Sequence, residues 1–243
     1  MIEKGDRVLL SSGERSFFVR AGEGILSTDF GTVDLDALVG GSPGDSIPTQ
    51  LGYVFVVNLP RPTDFFKTAK RSGAPMLPRD IGLVIGLTGM NRRDRVLDAG
   101  TGTGICAFFF SGIAASVVSY ERRREFHELA CANLKEAGAT NVELICGDVL
   151  EASGSFDVVH LDLLLEPSHI VHAHSLLTPG GFLAGYTPFI EQMTLLYDTA
   201  SGLFSEVTSY DCIIREMDRS ERGTRPSTRI GHSGFITIAR KWG

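Results

Sequence analysis

The 243-residue chain has no run approaching about eighteen apolar residues, so no membrane-spanning helix is expected. Its first residues, MIEKGDRVLL, lack the apolar core of a secretory signal, and cytoplasmic residence is the corresponding expectation. The four cysteines, Cys106, Cys131, Cys146 and Cys212, have no metal-ligand spacing; they read as buried thiols, with disulfides the alternative in a hyperthermophile, and no metal is expected. A surplus of positive charge is missing too. Twenty-three Lys and Arg against 29 Asp and Glu leave a formal net charge of −6, which argues against a surface that coats nucleic acid throughout. With 43% hydrophobic and 21% charged residues, what remains is an ordinary globular chain, long enough for one α/β domain with a small appendage.

Residues 1–58 contain no helix-length periodic segment. They hold short β-like runs, RVLLS, SFFVRA, GILST and GYVFVVNL, separated by turn signals, which predict a separate small β-sheet or barrel domain. A connection over 59–80 follows, with prolines at 60, 62, 75 and 78 and five basic residues (Arg61, Lys67, Lys70, Arg71, Arg79) against Asp64 and Asp80. Thr63 to Arg71 reads as a short helix capped by Thr63 with Asp64 at its positive end. Residues 81–243 then form the large domain, opening with a helix over Ile81 to Met90.

The large domain is organised around Arg95 to Gly104, RVLDAGTGTG: a strand, an acid at Asp98, and glycine at 100, 102 and 104, followed by the apolar run Ile105 to Phe110. A strand entering a glycine-rich turn before a helix is where a doubly wound sheet binds its ligand. The dinucleotide fingerprint needs a third glycine where Ile105 stands. A carboxylate entering the turn would repel a pyrophosphate and can receive an ammonium group, which S-adenosylmethionine carries beside its sulfonium.

Downstream, strands and helices alternate as in a mostly parallel sheet. Strands are expected at Ser116 to Tyr120, Val142 to Cys146, Phe156 to Leu161, Gly181 to Tyr186, Glu206 to Ile214 and Gly234 to Arg240, the last two separated by an Arg-rich loop. Helices are expected at Arg123 to Gly138, Glu166 to Leu177 and Phe189 to Gly202. Successive strands deliver Asp98, Glu121, Asp148 and Asp162 to one edge. An acid past the second strand suits two ribose hydroxyls. Asp148 with the Val149 N–H suits an adenine, and Asp162 is left for chemistry. The segment Ile213 to Gly243 adds six arginines and Lys241 against three acids, a patch suited to a polyanion.

Taken together, VLDAGTGTG, SYERRREF, GDV, DLLLEP, LTPGGFLAGYTPFIEQM and RPSTRIGHSGFITIARK make residues 1–240 resemble the tRNA adenine-N1 methyltransferase family that modifies the T-loop, in its archaeal and bacterial homo-oligomeric form. The resemblance implies a class I S-adenosylmethionine-dependent methyltransferase fold, a doubly wound, mostly parallel seven-stranded sheet with a small N-terminal β domain. It implies transfer of a methyl group to N1 of adenine 58, and of adenine 57 in some members, by a homotetramer acting on tRNA. Gly100, Gly102, Thr103, Gly104 and Ile105 would wrap the methionine moiety, Glu121 hold the ribose, and Asp148 and Val149 the cofactor adenine with Phe126 beside it. Asp162 would contact the target adenine. Leu77 stands where the family has Tyr or His, and Leu165-Glu166-Pro167 where an aromatic is common; both groups bear on the flipped base.

Such a transfer needs alignment more than a general base, because adenine N1 has its own lone pair. Asp162, accepting from N6–H, would stabilise the charge that the purine acquires. Arg79, Arg215, Arg219, Arg222, Arg225 and Arg229 would contact phosphates, and His232 would order its loop. Two alternatives stand beside this reading: a class I methyltransferase acting on another acceptor, such as a protein carboxylate or another RNA base, and a tRNA-binding subunit without catalysis. The second would be expected to have lost the glycine turn or the acids, which are present here.

Overall fold

The computed structural model describes residues 1–13, 15–71, 73–228 and 231–243. They form two compact units, Met1–Ala69 and Lys70–Gly243. In the first, β1 (Arg7–Ser12), β2 (Arg15–Arg20), β3 (Ile25–Thr28), β4 (Gly31–Asp34), β5 (Ser46–Pro48) and β6 (Val54–Asn58) are all antiparallel. They pair as an open sheet in the order β2-β1-β6-β5 and a separate β3-β4 ribbon. Phe55 and Val57 of β6 are buried while Val54 and Val56 are exposed, the period-two pattern of a sheet with one packed face. Phe55 centres that core, with Phe17 and Phe30 edge-on to it at 5.5 and 5.9 Å.

The unit ends in α1 (Pro62–Thr68), which starts earlier than the sequence suggests. Its cap is Arg61, whose N–H donates to Asp64 at 2.9 Å, because Pro62 takes the first helical position where its fixed φ and missing N–H cost nothing.

The second unit is a three-layer α/β/α sandwich. Its elements are α2 (Pro78–Thr88), β7 (Arg95–Ala99), α3 (Ile105–Ser111), β8 (Ser116–Glu121), α4 (Arg124–Ala137), β9 (Val142–Cys146), β10 (Phe156–Leu161), α5 (Pro167–Leu176), β11 (Leu177–Thr187), α6 (Ile190–Ser201), β12 (Glu206–Asp211), the hairpin β13 (Met217–Ser220) and β14 (Gly223–Pro226), and β15 (Phe235–Arg240). The seven-stranded sheet runs β12-β15-β11-β10-β7-β8-β9, parallel except for β15, which is wedged antiparallel between β11 and β12. Helices α2, α3 and α4 cover one face, and α5 and α6 the other. Leu97, Phe156, Val159, Leu161, Leu183 and Leu196 are buried in the core of the unit.

Three expectations are corrected. Helix α2 begins at Pro78 rather than Ile81, again with proline in the first turn, and stops at Thr88 because Gly89 takes a left-handed φ of 65°. The Arg-rich segment expected as a loop contains the β13-β14 hairpin, whose residues are all exposed. Of the four cysteines, all free, only Cys106 is buried; Cys131 and Cys146 are exposed and Cys212 is half-buried. Among the described residues no helix is long and apolar enough to cross a membrane, and no acid, His or Cys group is arranged to hold a metal ion.

Candidate active site

Strand β7 lies between β8 and β10, all three parallel, so their carboxyl ends open onto one crevice. The turn leaving β7 carries Gly100, Gly102 and Gly104 at φ of 88°, 55° and 83°, a region that side chains disfavour. Its backbone is pinned from both sides: Gly100 N–H donates to the Tyr120 carbonyl at 3.0 Å, and Asp162 N–H donates to the Ala99 carbonyl at 2.8 Å. Asn133 of α4 holds the turn from a third side, donating to the Thr103 carbonyl at 2.9 Å and to the Lys70 carbonyl at 3.0 Å.

Two cavities flank this turn, and Gly100, Arg123 and Asp162 line both. One, of about 290 Å³, is lined by Tyr120, Glu121, Gly147, Asp148, Val149 and Leu164, with His169 at its rim. The other, of about 250 Å³, is lined by Gly73 to Met76, Thr101 to Thr103, Ile105, Cys106 and Phe126. The crevice is therefore one groove with two halves, and Asp162 stands where they meet.

The four strand-end acids do not all reach that groove. Glu121, only 4% exposed, lines the first half with both oxygens engaged: Oε2 accepts from Gly102 N–H at 3.0 Å, and Oε1 accepts from the Arg123 N–H at 2.9 Å and its Nε–H at 3.2 Å. Asp148 lies at the far end of the same half and caps the turn after it, accepting from Leu150 N–H at 3.0 Å. Asp98 is the correction. It is 1% exposed and lies beneath the turn rather than in the groove, accepting from Ser119 Oγ–H at 2.6 Å and from His160 Nδ1–H at 2.7 Å. Strand pleating turns its side chain into the sheet, so it cannot receive a ligand's ammonium directly. Asp162 is half-buried, and its carboxyl is pushed up to about 6, chiefly by burial; His160 opposes the shift and Asp98 adds to it.

Phe126 is likewise displaced from its expected place. It lines the half away from Asp148 and Val149, with the Arg123 guanidinium over its face at 3.6 Å. Val149, Gly100, Gly102, Thr103 and Ile105 do line the groove. Gly104 instead caps α3 beneath it, packed against α4.

The residues expected to meet the nucleic acid are dispersed. Leu77 caps α2 and is exposed. Arg79 turns inward, its Nε 3.6 Å from the buried Asp80 and its Nη2 donating to the Gly231 carbonyl at 3.3 Å, so it is not presented as a phosphate contact. Arg215, Arg219, Arg222 and Arg225 are exposed on and beside the hairpin, outside the groove. Arg229 lies outside the described residues. His232 ties its loop down: Nε2–H donates to the Pro188 carbonyl at 3.0 Å, and the ring packs on Phe235 at 4.5 Å.

Sequence reasoning gave no role to four further groups. Asn133 anchors the turn as above. Gln192 grips the segment after Asp162, accepting from Leu165 N–H at 2.6 Å. Tyr186, with its hydroxyl pushed up to about 12 mainly by burial, lies under Gly234, where a Cβ would come within 2.5 Å of the ring. His160, the buried partner of Asp98, is the fourth. Gln192 and Tyr186 sit in the LTPGGFLAGYTPFIEQM stretch, and position within it was the available signal; Asn133 and His160 gave none, since an isolated polar residue in an apolar run has no partner in the sequence.

A methyltransferase-domain family model matches residues 96–181. The chain is 31% identical to the tRNA (adenine(57)-N(1)/adenine(58)-N(1))-methyltransferase TrmI of Methanocaldococcus jannaschii, over 98% of this chain and 92% of the relative. It is 30% identical to the tRNA (adenine(58)-N(1))-methyltransferase TrmI of Thermus thermophilus, over 98% and 97%. Among solved structures, an S-adenosylmethionine-dependent O-methyltransferase from Thermotoga maritima superposes with a TM-score of 0.85 at 26% identity, over 100% and 95% of the two chains. With the glycine turn, the strand-end acids and the β9-β8-β7-β10-β11-β15-β12 strand order in place, the chain belongs to the TrmI family of tRNA (adenine-N1) methyltransferases.

Proposed function

We propose that this chain transfers the methyl group of S-adenosylmethionine to N1 of adenine in the T-loop of tRNA, at position 58 with position 57 as a second target. The observation that carries the reading is Asp162, a carboxylate at the wall shared by the two halves of the groove and the one strand-end acid with access to both.

The groove fits the cofactor. The bare Cα of Gly100 lets the Asp162 backbone close against the turn, and the first half has the acid pair Glu121 and Asp148 along its lining. In this reading Gly100 to Ile105 hold the methionine moiety, Glu121 the ribose hydroxyls, and Asp148 with the Val149 N–H the cofactor adenine. Asp98 supports the turn from beneath. When bound, S-adenosylmethionine supplies an electrophilic methyl group on its sulfonium. Asp162 accepts from the exocyclic N6–H of the target adenine, fixing the ring so that the N1 lone pair faces the methyl group. As N1 is alkylated the purine becomes cationic, and the same carboxylate stabilises it. No proton has to be shuttled, which leaves His232 to hold its loop.

Because N1 is on the pairing edge, the base is reached only when unstacked and unpaired. Arg215, Arg219, Arg222 and Arg225 contact tRNA phosphates, Leu77 borders the base, and the enzyme works as a homotetramer in the cytoplasm, where its substrate is. A second reading, methylation of an oxygen acceptor, has behind it the name of the Thermotoga maritima neighbour. Incubation with unmodified tRNA followed by mass-spectrometric mapping of methylated nucleosides separates them. N1-methyladenosine at 58, or at 57 and 58, supports the proposal; transfer only to a carboxyl-bearing peptide supports the oxygen acceptor. Cofactor binding with no transfer to either would leave a tRNA-binding subunit.

A further inference from the structure

Beneath the groove lies a polar chain that the mechanism above does not use. His160 is the penultimate residue of β10, and Asp162 follows immediately after the strand's end, two positions on. The β10-β7 register places His160 opposite Asp98, and the two side chains meet at 2.7 Å with exposures of 0% and 1%. From Asp98 the chain continues through Ser119 of β8, 2.6 Å away, to the Thr101 hydroxyl in the glycine turn, another 2.6 Å on. Among the described residues the far nitrogen of the imidazole, Nε2, has no partner, and the ring stands edge-on to Phe110 at 5.2 Å, so its polar contact is Asp98.

We propose that His160 is a positioning residue for Asp162: as an imidazolium it neutralises the buried Asp98, so that Asp162 has no uncompensated carboxylate beneath it. A buried carboxylate without a counter-charge is costly, and two carboxylates beside one another do not both ionise readily. Among the described residues, Asp98 on β7, Cys106 on α3 and Tyr186 on β11 are acids that act on or are acted on by Asp162, while Glu121, Arg122, Arg123, Asp148 and His169 share a cavity with it, His169 accepting from the Glu166 N–H at 2.9 Å. Of the neighbouring cations, Arg79 is committed beside Asp80 and Arg123 on Glu121. His160, 2.7 Å from Asp98 and buried with it, is the base placed to balance that acid.

The role rests on the reading of Asp162 as the group that meets the target adenine, and the test separates the two. In His160→Asn the amide keeps a donor for Asp98 but carries no charge. With saturating S-adenosylmethionine and tRNA, the acid limb of kcat should move up by about one pH unit. At pH 8.5 the rate and the S-adenosylhomocysteine affinity should stay within about threefold of the parent, since the donor to Asp98 is kept. An unmoved acid limb, or a loss of rate equal at every pH, overturns the proposal. If that variant does not fold, or the parent proves inactive on tRNA, nitrogen NMR of the histidine-labelled parent decides the point without turnover. Both His160 nitrogens protonated at pH 7 supports it; a neutral ring overturns it.

Discussion

The Asp162 carbonyl occupies the space that a side chain on Gly100 would need: a Cβ there would overlap that oxygen, in a backbone conformation with φ of 88°. The two strand ends that build the groove are thus in backbone-to-backbone contact, and the contact tolerates no substitution. Gly100→Ala combines left-handed strain with a clash against main chain and should cost ~2–4 kcal/mol. Scanning calorimetry should show a lowered Tm, and titration calorimetry an S-adenosylhomocysteine affinity reduced by at least about tenfold; parent-like values for both would show that the strands can part.

Asp162→Asn keeps the shape of the side chain and removes its charge. Loss of a preorganised charged acceptor should lower kcat by about 10²–10³ while leaving S-adenosylhomocysteine affinity within about twofold. Equal losses in both would place Asp162 on the cofactor alone.

The same carboxyl sets a pH dependence. Its native value of about 6 lies above the ordinary 3.8, so the active carboxylate form is depleted as pH falls through 6, and kcat should drop about tenfold per pH unit below that. The stability sign is the reverse of the usual acid case. The native state binds the proton more tightly than the unfolded chain, so ionised Asp162 destabilises the fold above pH 6 and ceases to do so toward pH 4. Asp162→Asn should therefore have the higher Tm at pH 8, with the advantage gone near pH 4.

The hairpin arginines line neither cavity and should act on tRNA alone. Replacing Arg219, Arg222 and Arg225 by alanine should weaken tRNA binding and lower the slope of log K against log salt by about one for each phosphate no longer neutralised. S-adenosylhomocysteine affinity should not change. An unchanged salt slope in filter-binding assays would remove the hairpin from the RNA surface.

Asn133→Leu deletes a buried hydrogen bond to the glycine turn and a half-buried one to Lys70, which together join both to α4. The stranded carbonyls should cost ~2–3 kcal/mol, read as a lower denaturation midpoint, with cofactor affinity falling about tenfold. Full affinity in the folded variant would mean that the turn holds its shape without α4.

Most of the sheet was legible because each crossover left a strong local mark. Apolar strands such as Arg95–Ala99 and Phe156–Leu161 run directly into a glycine or an acid, and α4 closes on Gly138 in a left-handed conformation. The hairpin Met217–Pro226 was not legible, since a ribbon that buries neither face has no reason to alternate polar and apolar residues. Within the site, the order of Asp98, Glu121, Asp148 and Asp162 along the chain predicted a common edge but not the direction of each side chain. Asp98 is held beneath the glycine turn by a partner 62 residues away, His160. Phe126 and Arg79 were misplaced for a similar reason, because helix phase and a buried partner, Asp80 for Arg79, decide where such side chains lie.

The position of β15 makes the sheet depend on a strand far along the chain from its neighbours. β15 is inserted between β11 and β12 and pairs with both, and the His232 loop just before it reaches Pro188. A nascent chain stopped at residue 230 would have every acid and every glycine of the turn. It would also have an apolar edge on β11 and a β12 without its β15 partner. Insertion of β15 is thus the event that seals the sheet, and a chain cut before it is marked for aggregation or proteolysis rather than left as a weaker enzyme.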